Sequence, residues 1–166
     1  YASLDPRQRA KAIITENLSV HEGLRGERVD EEAKRLLVQV GLDPGMLERY
    51  PHEFSGGQRQ RLAIARAIAT RPKLIIADEK VSALDLELQV QILDLLRRLK
   101  VQMNLSLVFI THDLKLLRGF CDRMVVMQKA KIVEEGSVED VFKRPQHPYT
   151  QELLAAILPL PIRRPG

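Results

Sequence analysis

The chain has 166 residues, about the size of one domain, which argues against a multi-domain enzyme with separate cofactor and substrate lobes. Hydrophobic residues make up 45% and charged residues 29%, the balance of a soluble globular protein, which argues against disorder and against collagen-like or mucin-like repeats. Lys and Arg number 26 against 22 Asp and Glu, so the net charge of +4 suits an anionic partner. Only 4% of the residues are aromatic and none is Trp, so no nucleic-acid partner is expected.

No apolar stretch reaches the roughly 18 residues that span a bilayer. The longest, Leu153 to Ile162, is cut by Pro159 and Pro161. Residues 1 to 11 lack a basic start followed by an apolar block, so no secretory signal is visible, and Tyr1 in place of Met suggests a missing start and a fragment. Cys121 is the single cysteine and flanks an apolar strand-like run, as expected of a structural thiol in a reducing cytosol.

In chain order, residues 8 to 20 are predicted helical. From Asp30, DEEAKRLLVQVG reads as an amphipathic helix with Asp30 as N-cap, Ala33, Leu36, Leu37 and Val40 on one face and Gly41 as the stop. DPGMLERYP (43 to 51) reads as a short helical turn ending before Pro51. Ser55 is followed by GGQRQRLAIARAIAT, a helix closed by Pro72, so Ser55 and the two glycines stand at its N-terminus.

After Pro72 the pattern changes. LIIAD (74 to 78) and LSLVFI (105 to 110) are short continuous apolar runs, predicted to be parallel strands covered on both faces. Between them Leu88, Ile92, Leu95, Leu96, Leu99 and Met103 form one helical stripe, completing a strand, helix and strand unit. RMVVMQ and KIVEE (123 to 135) predict two more strands, joined at Lys129 and Ala130 by a turn without the usual glycine. Ser137 is predicted to cap a short helix, and residues 148 to 157 form another.

Three places could carry chemistry. Two glycines in SGGQ (55 to 58) leave helix N-terminal N–H groups unblocked, a ready phosphate site, although a flexible cap reads equally well from these four residues. Asp78 and Glu79 end a strand at the carboxyl edge of a parallel sheet, where one acid can hold Mg2+ and its neighbour can orient or deprotonate water; solvated acids are the alternative. The second strand delivers Thr111, His112 and Asp113 to the same edge, where His112 could contact a phosphate near Glu79, or Thr111 or Asp113 could cap a helix. His21, His52 and His147 read as surface or packing residues, and the histidine spacings fit no zinc site.

Taken together, FSGGQRQRLAIARA (54 to 67), LIIADEKVSALD (74 to 85) and FITHD (109 to 113) resemble the nucleotide-binding subunit of ATP-binding cassette (ABC) transporters. They match, in order, its signature, its Walker B strand with D-loop, and its H-loop. YASLDPR and RPQHPYTQELLAAI are similar to flanks of the oligopeptide, dipeptide and nickel importer subfamily. The resemblance implies an α/β fold, a partial P-loop NTPase-like parallel sheet core with a helical subdomain. It divides the chain into a helical signature subdomain (1–70), a Walker B, D-loop and H-loop part (71–136) and a C-terminal oligopeptide-transporter-type extension (137–166).

The resemblance also implies that Ser55, Gly56, Gly57 and Gln58 bind the γ-phosphate of ATP held mainly by a partner. Asp78 would be the Mg2+ ligand, Glu79 the general base, Asp85 the D-loop acid and His112 the switch histidine. The partners implied are a second cassette, transmembrane permease subunits and, indirectly, an extracytoplasmic binding protein, at the cytoplasmic face of the membrane. Two alternatives stand beside this reading: a non-catalytic remnant, and a soluble ABC ATPase outside transport.

The chain departs from the family at two points. The P-loop pattern G-x-x-x-x-G-K-[ST] occurs nowhere in it, so the resemblance is to the later half of a cassette. Lys80 stands where the family has Pro or Ala, and a cation beside a carboxylate makes it a weaker base. Changing Lys80→Pro in a complete cassette is therefore expected to raise ATP turnover; an unchanged rate would count against this role for Lys80.

Overall fold

The computed structural model describes residues 4–21, 25–78 and 86–156, which form two compact units, Tyr1–Ile110 and Thr111–Gly166. Compactness thus divides the chain after Ile110, whereas the motifs divide it near residues 70 and 136.

The first unit begins with α1 (Ala10–His21), α2 (Glu27–Gln39), two 3-10 turns (Pro44–Glu48 and Pro51–Glu53) and α3 (Gly56–Ile68). These elements share a packed interior, in which Ile14, Leu18, Leu36, Leu37, Val40, Leu62 and Ile68 are fully buried. Helix α2 starts earlier than expected. Asp30 is not its N-cap; Gly26, with φ +61, precedes it, and Glu27 and Asp30 both sit in the first turn. The Asp30 carboxylate instead takes Lys11 Nζ at 2.6 Å, tying α2 to α1, which explains why an acid stands there. The predicted stop holds: Gly41 has φ +77 and donates to Val38 O, while Leu42 N–H returns to Leu37 O.

Strand β1 (Leu74–Asp78), α4 (Leu86–Met103) and β2 (Ser106–Ile110) complete this unit. The two strands pair in parallel, with Leu74 opposite Ser106, Ile76 opposite Val108 and Asp78 opposite Ile110. On α4, Ile92, Leu95, Leu96 and Leu99 are buried, as the stripe predicted. The expectation that both strand faces are covered is not met. Burial alternates along each strand, and Ile76 is 62% and Val108 44% exposed. With two strands only, residues 74, 76, 78, 106, 108 and 110 share a face that nothing among the described residues seals.

The second unit contains α5 (Leu114–Leu117), β3 (Arg123–Gln128), β4 (Lys131–Ser137), α6 (Val138–Lys143) and α7 (Pro148–Ala155). Strands β3 and β4 form an antiparallel hairpin whose register shifts between Val126 and Met127. Lys129 and Ala130 turn the chain with φ +49 and +59, the left-handed conformations that a two-residue hairpin turn demands and that glycine normally supplies. Leu114, Leu117, Met124, Val126, Val138, Val141 and Leu154 make the core, and Cys121 packs against it. Ser137 caps α6 as predicted, its hydroxyl accepting from Asp140 N–H at 3.0 Å.

His147, read from sequence as a surface or packing residue, is the N-cap of α7: its Nδ1 accepts from Tyr149 N–H at 3.2 Å, and Pro148 occupies the first helical position. The turn before it is clipped to β4, because Glu134 accepts the N–H groups of Gln146 at 2.8 Å and His147 at 2.9 Å. Burial alone pushes the Glu134 carboxyl up, but the Gln146 and His147 amides it accepts outweigh this and hold the group below the ordinary glutamate value. A carboxyl depressed in the folded state stabilises above its unfolded pKa and loses that contribution as pH falls through the folded one. Glu134→Ala is thus expected to cost about 1 kcal/mol at neutral pH, discounted for solvent access, and less in acid, as read by urea unfolding at both pH values.

Candidate functional site

The SGGQ turn gains its form from reciprocal hydrogen bonds. Ser55 is extended at φ −62 and ψ 167, and its Oγ accepts from Gln58 N–H at 3.3 Å. Gln58 Oε1 accepts from Ser55 N–H at 2.9 Å, closing a capping box. Arg59 N–H then returns to Ser55 O at 2.9 Å, the first ordinary helical bond. Of the amides at this end, those of Gly56 and Gly57 are left without an acceptor among the described residues, at the positive end of a 13-residue helix.

The approach to the turn is fixed as firmly. Arg59 Nη1 donates to Phe54 O at 2.6 Å and Pro51 O at 3.4 Å, lashing the preceding loop to α3. Arg61 Nη1 donates to Val40 O at 2.7 Å. Gly41 makes way for it, since a Cβ there would stand 2.8 Å from Arg61 Nη1. The roles of Arg59 and Arg61 are not readable from spacing, because their partners come from other elements. Ser55 is exposed, Gly56 and Gln58 are half-buried, and Gly57 is buried. Sequence reasoning read the two glycines either as leaving amides open or as a flexible cap; burial gives Gly57 a packing constraint as well.

Asp78 is exposed at the carboxyl end of β1, opposite Ile110 at the end of β2. Glu79 and Asp85 lie outside the described residues, as does any approach of His112 to Glu79. His112 itself is exposed, two residues beyond β2 and within the second unit. Beside it Thr111 Oγ1 accepts from Asp113 N–H at 3.0 Å, a local hydroxyl turn just ahead of α5. A hollow of about 510 Å3 lies at Arg61, Gln91, Asp94, Arg97 and Arg98 and includes none of the expected nucleotide residues. Among the described residues no three His, Cys, Asp or Glu side chains cluster as a metal site, and no helix is long and apolar enough to cross a membrane.

Because the box rests on two reciprocal bonds, Ser55→Ala is expected to destabilise the chain by about 1 kcal/mol, and Gln58→Ala by less. Circular dichroism melting of both single variants and the double variant checks this: reciprocal bonds require the double to lose less than the sum.

Comparison with known proteins adds independent evidence. Residues 3–82 match the ABC transporter family, and residues 133–165 match the oligopeptide/dipeptide transporter C-terminal region. The peptidoglycan transport ATP-binding protein YejF of Agrobacterium fabrum is 53% identical over 156 residues, covering 93% of this chain and 29% of that protein. The oligopeptide transport ATP-binding protein OppF of Escherichia coli is 47% identical over 161 residues, covering 96% of this chain and 48% of that protein. A solved inward-facing ABC transporter of metal-chelate type superposes with a TM-score of 0.72 at 30% identity, covering 81% of this chain and 54% of its own. The chain spans half or less of the length of the curated relatives it matches. Two family matches and these identities agree: the chain carries an ABC transporter ATP-binding domain sequence in residues 3–82, followed by the oligopeptide/dipeptide transporter C-terminal region in residues 133–165.

Proposed function

We propose that this chain is the later part of the nucleotide-binding subunit of an ABC importer of peptides or nickel, coupling ATP binding and hydrolysis to uptake at the cytoplasmic face of the membrane. The observation that carries the proposal is the capped α3 terminus, which leaves the Gly56 and Gly57 amides without an acceptor among the described residues. The names of the oligopeptide and peptidoglycan transport relatives favour peptides over nickel. The exposed apolar face of β1 and β2 supports a larger sheet core, since parallel strands are ordinarily covered on both sides.

In this reading the α3 terminus of one cassette meets the γ-phosphate on a second cassette. Ser55 Oγ accepts from Gln58 N–H and keeps its own O–H to donate to a phosphate oxygen. The Gly56 and Gly57 N–H groups add two further donors along the helix dipole. Asp78, an exposed carboxylate, fits Mg2+, which takes one or two protein acids and completes its shell with water and phosphate oxygens. Glu79 takes the proton of the attacking water, His112 senses the phosphate and Asp85 reaches across the cassette interface. When bound, ATP supplies the phosphoanhydride whose cleavage resets the permease subunits.

Because the sequence holds no G-x-x-x-x-G-K-[ST], these groups complete a site they do not constitute alone. Two measurements test the proposal. Calorimetry on the 166-residue chain is expected to find weak ATP binding, and tight binding would overturn that part. In a complete cassette, Glu79→Gln is expected to lower turnover by about 100-fold or more while ATP still binds. Full turnover would remove Glu79 as the base, and a wild-type cassette without turnover would favour the non-catalytic remnant.

A further inference from the structure

Gly57 is buried in the first turn of α3, and a Cβ on it would stand 2.4 Å from Leu88 Cδ2 and 3.6 and 3.7 Å from Leu88 Cγ and Cδ1. Carbon atoms at contact sit about 3.5–4.0 Å apart, so any side chain at position 57 must displace Leu88. Leu88 stands at the start of α4, which follows residues 79–85, the stretch bearing Glu79 and Asp85. One turn further along α4, Gln91 Oε1 accepts from Arg61 Nη2 at 3.3 Å. Helix α3 is therefore fastened to α4 twice, by shape at its first turn and by a hydrogen bond at its second. The same Arg61 also donates to Val40 O, so α2 is drawn into the arrangement.

We infer that Leu88 is a positioning residue for the SGGQ turn: a side chain at position 57 would have to push the Leu88 methyl aside, and Leu88 sets the depth at which the Gly56 and Gly57 amides stand. This rests on the nucleotide reading for what those amides contact. It goes beyond that reading by giving Leu88, on a neighbouring helix and outside the signature, control over the turn.

The inference has an unusual signature. In an unobstructed helix alanine is a better residue than glycine, so the sign of a Gly57→Ala effect reports whether Leu88 is in the way. In the complete cassette carrying this sequence, Gly57→Ala alone is expected to lower the Tm by about 2–6 °C. In the Leu88→Ala background the same change is expected to leave the Tm unchanged or to raise it. Leu88→Ala alone is expected to raise the KM for ATP about tenfold through a displaced turn, whereas the volume-conserving Leu88→Met keeps the wild-type KM.

Equal losses of Tm from Gly57→Ala in both backgrounds would show that Leu88 does not dictate the glycine and overturn the inference. A Tm loss in Leu88→Ala with an unchanged KM would leave Leu88 as packing alone and also overturn it. A wild-type cassette that hydrolyses no ATP would remove the nucleotide reading and the positioning role with it, while the unfolding measurements would still decide why position 57 is glycine.

Discussion

The α3 terminus depends on one constraint: four amides at a helix start have no helical partner, and each must find an acceptor or meet a ligand. The capping box disposes of the ends of this set, with Gln58 Oε1 taking the Ser55 amide and Ser55 Oγ taking the Gln58 amide. The Gly56 and Gly57 amides between them remain. Everything around the turn serves to hold it still, from the Arg59 bonds to the Phe54 and Pro51 carbonyls to the Arg61 bonds that reach α2 and α4. A terminus left to fray would present the same groups with no fixed direction, and preorganised donors are worth far more than mobile ones.

The parallel pair supplies a different kind of order. Register alone sets Asp78 against Ile110 at the ends of neighbouring strands. The alternation of a pleated strand then puts residues 74, 76 and 78 on the exposed side, so the acid and the apolar Leu74 and Ile76 share one face. An apolar face of this kind is costly in water, at about 25 cal/mol per Å2 left uncovered, which is the physical reason the chain is read as part of a larger sheet.

The C-terminal unit is stabilised by local closure around a small core. Ser137 caps α6, His147 caps α7, and Glu134 clips the intervening turn to β4. The segment QHPYT owes its form to this arrangement: Gln146 and His147 donate their amides to Glu134, His147 Nδ1 accepts the Tyr149 amide, and Pro148 starts the helix with no amide to satisfy. Its residues thus have structural tasks independent of any partner.

By itself the amino-acid sequence determined those features whose causes are near neighbours along the chain. Ser55 and Ser137 cap helices through residues three positions away, Gly41 ends α2 within its own turn, and the apolar runs at 74–78 and 106–110 form strands. The motif order carried the family, because it too is a property of the chain read in line. Only the tertiary structure decided what distant residues impose. Asp30 reads as a cap but answers Lys11 on another helix, and His147 reads as a surface or packing residue but caps the start of α7. Gly57 reads as an opening for phosphate but also yields to Leu88, and strands that read as sealed on both faces show one to solvent. In each case the deciding force is short-ranged in space and long-ranged in sequence, so no local pattern could carry it.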